Sequence, residues 1–148
     1  MNLRLEALTV AGVAFFVMTR LAAAEVGILL TARPPQAWLA RRFLLQMLAN
    51  KSRAAYAALD PATRARLPER QFVAQAGQLR RQARRWGPSI ELYKLGWRLL
   101  EGQPAVAFYQ FTFTADSARS GPHVALDVTF RDSLATRPLR FSVVVERI

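Results

Sequence analysis

The sequence predicts an α+β domain, three N-terminal helices packed on a curved four-stranded antiparallel sheet, preceded by a signal peptide or single membrane anchor. Three observations carry that expectation. Apolar residues recur about every four positions between Gln36 and Trp86. After Gly87-Pro88 the period drops to two, in segments separated by Gly, Pro and Ser turns. Ahead of both lies an apolar run, Ala7 to Met18, set off from the rest by Arg33-Pro34-Pro35.

The N-terminal run follows Arg4 and ends in Thr19-Arg20-Leu21-Ala22-Ala23-Ala24, the order in which a secretory signal peptide is built, with cleavage after Ala24. A competing reading extends the segment through Val26-Gly27-Ile28-Leu29-Leu30 as a retained anchor. It places Arg20 and Glu25 at membrane depth, at about 2.5–3.5 kcal/mol each unless paired or snorkelling. A soluble helix is the third. Residues 1–33 are therefore expected to contact a membrane and 34–148 to form the domain, in the periplasm or at a bacterial inner membrane. If the anchor is kept, Arg33, Arg41 and Arg42 favour a cytoplasmic domain, so the side of the membrane stays open.

Within the domain, Leu39, Phe43 and Met47 beside Ala40, Leu44 and Leu48 predict a first helix over Gln36–Ala49. Asn50 is expected to cap a second over Lys51–Leu59. Asp60-Pro61 restarts the chain with an acid at the cap and proline at the first helical position, for a turn or two to Leu67. Pro68 opens the longest helix, which Gly87-Pro88 stops after Trp86. Strands are expected over Ser89–Leu99, Ala105–Thr114, His123–Arg131 and Leu139–Arg147, joined as hairpins, with Gly96 marking a bend or bulge. Their inner faces collect Tyr93, Trp97, Tyr109, Phe111 and Phe113.

Composition bounds the chemistry. The 148 residues suffice for one core without disulfides. The absence of cysteine excludes thiolate nucleophiles and cysteine zinc sites, and one histidine excludes a multi-histidine metal site, so no metal or cofactor is expected. His123 and Asp127 share a strand face about 13 Å apart at roughly 3.3 Å per residue, too far for a direct dyad. They read as polar residues on an exposed face.

The net charge of +11 is unevenly spread. Arg33 to Arg85 holds twelve Lys or Arg against Asp60 and Glu69; Trp86 to Ile148 holds seven against six acids. Arg80, Arg81, Arg84 and Arg85 crowd the last turns of the long helix, where the helix dipole favours cations by about 0.3–1 kcal/mol each. Joined by Arg64, Arg66 and Arg70, they exceed what capping needs and suit an anionic lipid or an acidic protein face. Nucleic acid is disfavoured by the export-like N-terminus and the lack of a helix-turn-helix, zinc-finger or RNA-recognition signature.

Phe43-Leu44-Leu45, then Tyr56-Ala57-Ala58-Leu59-Asp60-Pro61-Ala62-Thr63-Arg64-Ala65-Arg66-Leu67, then Gln71-Phe72, then strands alone, resembles the nuclear transport factor 2-like superfamily, in particular its small exported bacterial domains. The resemblance spans Gln36 to Ile148. It implies a cone around an apolar cavity and a homodimer through the open sheet face, or, as in its members with one membrane anchor, a subunit of a membrane complex. The enzymes of that superfamily hold an acid, or a His with Asp, inside the cone; the inward positions here carry no acid. The expectation is a non-enzymatic accessory, assembly or protein-interaction module. The alternative is a binding protein for a small hydrophobic ligand among the five inner aromatics.

Overall fold

The computed structural model describes residues 35–118 and 121–146; the expected targeting segment, 1–33, lies outside the described residues. Helix α1 (Gln36–Leu48) buries Ala40, Phe43, Leu44 and Met47, the stripe that the four-residue spacing predicts. It ends in a Schellman motif: the Lys51 N–H donates to the Gln46 carbonyl at 2.8 Å, and that of Asn50 to Met47 at 3.1 Å. Asn50 takes the left-handed conformation that this motif requires, with φ 60°. Asn50 thus closes α1 and does not cap α2 (Ser52–Ala58), whose preceding residue is Lys51. Asn tolerates both roles, and here the left-handed backbone and the two bonds to the last turn of α1 give it the closing one.

The Asp60 carboxylate accepts the Ala62 N–H at 2.9 Å and starts α3 (Pro61–Arg66), with proline at its first position as expected. Helix α4 (Glu69–Trp86) buries Phe72, Ala76 and Leu79 and stops at Gly87, where φ is 85°. The Tyr56 hydroxyl ties α2 to the turn after α3. It lies 2.8 Å from the Leu67 carbonyl and 3.2 Å from that of Arg64, sharing one proton between them. Tyr56→Phe is expected to cost about 1 kcal/mol, the net value of one such bond. Urea unfolding of the full chain would measure it as a lower midpoint with an unchanged slope.

Strands β1 (Ile90–Arg98), β2 (Val106–Phe113), β3 (Val124–Phe130) and β4 (Arg140–Val145) form one antiparallel sheet in the order β1-β2-β3-β4. Val124, Leu126, Val128 and Phe130 alternate along β3 and join Phe111, Phe113 and Phe141 in the core against the helices. The architecture is therefore α+β, with helices packed on a four-stranded antiparallel sheet.

Two further expectations are corrected. The helices are not all N-terminal, because a single turn, α5 (Thr114–Ser117), stands between β2 and β3. Side chains build it: the Ser117 hydroxyl donates to the Thr114 carbonyl, and the buried Asp116 accepts the Val124 N–H. The bulge lies not at Gly96 but between Leu92 and Lys94, where the register slips. Gly96 has a packing role instead, since a Cβ there would meet the Phe108 ring of the paired strand at 3.3 Å.

Candidate functional site

The seven arginines singled out by sequence divide by their contacts. Arg80 is drawn inward. Its guanidinium donates to the Met47 carbonyl and the Ser52 hydroxyl, so it closes the C-terminus of α1 against α2 and is not a free surface charge. Arg64 is half-buried. Arg70, Arg81, Arg84 and Arg85 are exposed along α4, and Arg66 is exposed at the end of α3. Among the described residues the ion pairs of arginine are Arg53–Glu69, Arg98–Asp127 and Arg131–Asp60, and none involves these five. Arg85 lies over the Trp86 ring at 5.0 Å, which fixes one of them by a cation–π contact.

The aromatic residues do not share one interior. Phe111 and Phe113 are packed inside the core, and Tyr109 is half-buried, with its hydroxyl 3.1 Å from Gln36 Oε1. Tyr93 is 44% exposed and Trp97 55%, so these two do not line a closed cavity with the others. Leu95 and Trp97 pair with Tyr109 and Ala107 and belong to the same sheet face. The face is nonetheless open at β1: among the helices, contact with β1 is slight, while α1 reaches β2 and α4 reaches β4. Periodicity assigns the face of a strand; it does not say how far the covering helices extend.

The polar residues are better partnered than expected. Asp127 is only 7% exposed; it accepts from Arg98 at 3.1 Å and from Gln110, its cross-strand neighbour, at 3.0 Å. The reading of Asp127 as an exposed polar residue is thereby corrected. His123 also has a carboxylate partner, but it is Asp116, at 2.8 Å. The imidazole stacks on Trp86 with 5.9 Å between centroids. Asp116 escaped the sequence reading because it sits in the unrecognised turn α5. The signal for it was the polar Thr114-Ala115-Asp116-Ser117 that interrupts the aromatic alternation after Phe113.

The sequence reading also missed a cleft of about 640 Å³ between α3, α4 and the β3–β4 side of the sheet. Leu59, Phe72 and Phe141, all buried, form its floor. Among the described residues, Arg66, Arg131 and Arg140 are the charged residues that line it, and no Asp or Glu does. Its walls are tied together: the Asp60 N–H donates to the Pro138 carbonyl at 2.9 Å, and the Thr63 hydroxyl to that of Leu139 at 2.7 Å. Arg131 is held by Asp60 at 3.0 Å.

Among the described residues, no three of His, Asp and Glu gather as a metal site, and no helix is long and apolar enough to cross a membrane. Comparison with known proteins finds no matching family model, no matching curated protein and no matching solved structure.

Proposed function

We propose that this protein is a non-enzymatic accessory or assembly module, held at or exported across a bacterial inner membrane, that docks an acidic protein face on the solvent side of α4. One observation carries it: Arg70, Arg81, Arg84 and Arg85 are exposed on that helix and pair with no carboxylate among the described residues. A capping role accounts for positive charge in the last turn, but Arg70 lies in the first turn, where the dipole disfavours it. Guanidinium groups pair in a bidentate fork with carboxylates and with phosphates alike, so the fork supports an acidic protein face without excluding lipid headgroups, and the test below separates the two. The membrane location rests on the N-terminal sequence alone. The order of helices then strands supports a nuclear transport factor 2-like cone as the fold family.

The test is charge reversal of Arg81, Arg84 and Arg85 to glutamate in the full chain. Proteins recovered with the parent from its native membrane at low salt are expected to fall about tenfold with the variant, and to fall with rising salt for the parent. Equal recovery at low salt would remove the reading. Parent-specific flotation on anionic vesicles without a recovered protein would redirect it to lipid headgroups.

A further inference from the structure

We propose that the cleft between α3, α4 and β4 is a binding site for a single-chain amphiphile with one anionic head, such as a medium-chain carboxylate. The site is distinct from the solvent face of α4, and its chemistry follows from its lining. An apolar floor of Leu59, Phe72 and Phe141 meets a rim whose charged groups, among the described residues, are all arginine. Pockets of roughly 300–1,000 Å³ take small molecules, recognised by apolar walls and a few placed polar groups, and this one holds about 640 Å³.

The three rim arginines are not equivalent. Arg131 is compensated by Asp60, whereas Arg66 and Arg140 have no ion pair among the described residues. Arg66 and Arg140 both line the cleft, Arg140 from the strand position next to the core-facing Phe141, and cationic side chains without an ion pair favour an anion over a neutral ligand or a cation and offer donors to a carboxylate or phosphate head. An inorganic anion alone would leave the floor unused. The frame is set before any ligand arrives. Asp60 connects to Pro138 through its N–H and to Arg131 through its carboxylate, and Thr63 bonds Leu139, so α3 is fixed to the strand that carries Arg140. Such preorganisation lowers the ordering cost of binding.

Methyl NMR of the full chain in zwitterionic nanodiscs tests this, because shifts at Leu59, Leu67 and Leu139 separate binding in the cleft from partition into lipid. Octanoate is expected to shift those methyls saturably, and octanol to bind at least about tenfold more weakly. In Arg66→Gln with Arg140→Gln, both exposed and therefore tolerated by the fold, octanoate affinity should fall about tenfold or more. Unmoved core methyls of Leu44 and Leu79 check that the variant is folded. Absence of saturable shifts, equal affinity for octanol, full octanoate affinity in the double variant, or inorganic phosphate binding as tightly as octanoate would each overturn the assignment.

Discussion

Replacing Phe72 with alanine is expected to remove about 3–5 kcal/mol of stability, the largest loss from any single side chain here. Phe72 is fully buried in α4, its ring centroid 5.9 Å from Phe43 of α1 and 5.6 Å from Tyr56 of α2. It therefore joins three helices at once. A domain of this size holds roughly 5–15 kcal/mol in total, so the variant sits near the edge of folding. Phe72 also floors the cleft, which gives the truncation an outlet: water entering from the cleft replaces a dry void and holds the cost toward the lower end of the range. Phe72→Leu keeps most of the apolar volume and is expected to cost about 1–1.5 kcal/mol. Thermal unfolding followed by circular dichroism should show the alanine variant melting at least about 10 °C below the parent. A drop of only a few degrees would mean that α4 slides to refill the space.

The element order was legible in the sequence because hydrophobic period survives tertiary packing. Leu39, Phe43 and Met47 repeat at helical spacing, and Val124, Leu126, Val128 and Phe130 at strand spacing; α1, α4 and β3 start and stop within a residue or two of the positions that those patterns assign. Features set by contacts between distant residues were not legible. Asn50 is a local ambiguity instead: asparagine suits the start of a helix or its end, and the two bonds that decide it run to Met47 and Gln46 within the last turn of α1. Arg80 has the same local chemistry as Arg81 and Arg84, yet it faces Met47 and Ser52 from across the helix pair. Periodicity placed Trp97 with Tyr109 on one face, but a strand carries no record of where its covering helices stop.

The same limit explains why the cleft was missed. Its lining comes from residues assigned to other duties: Phe72 as a helix stripe, Arg66 as surface charge, Arg140 as one residue within the strand expected over Leu139–Arg147. They are separated by up to a whole sheet in sequence and meet because α3 is bonded to the β3–β4 connection. A pattern within one element shows what that element buries, whereas a site between elements needs the register of both. Arginine adds to the difficulty, since its long stem packs while its head faces water and the sequence does not reveal which part matters.

Asp116→Ala should be the most damaging polar substitution, at about 3 kcal/mol. The carboxylate is wholly buried, with Oδ2 accepting the Val124 N–H at 2.8 Å and Oδ1 facing His123 Nδ1 at the same distance. Alanine leaves the Val124 N–H without its acceptor at the first residue of β3, and an orphaned buried donor costs more than the bond was worth. It also frees the imidazole that stacks on Trp86. Asp116→Asn separates geometry from charge. The amide oxygen can accept from Val124 while its NH₂ donates to Nδ1 of an Nε2-protonated His123, so the expected loss is about 1 kcal/mol. Urea midpoints for the two variants, with amide exchange at Val124, give the comparison: exchange at Val124 should rise sharply in the alanine variant and little in the asparagine one. Equal destabilisation by both would show that the negative charge itself holds α5 against β3. Stability unchanged in both would show that water entering beside α5 satisfies the Val124 N–H as well as the carboxylate does.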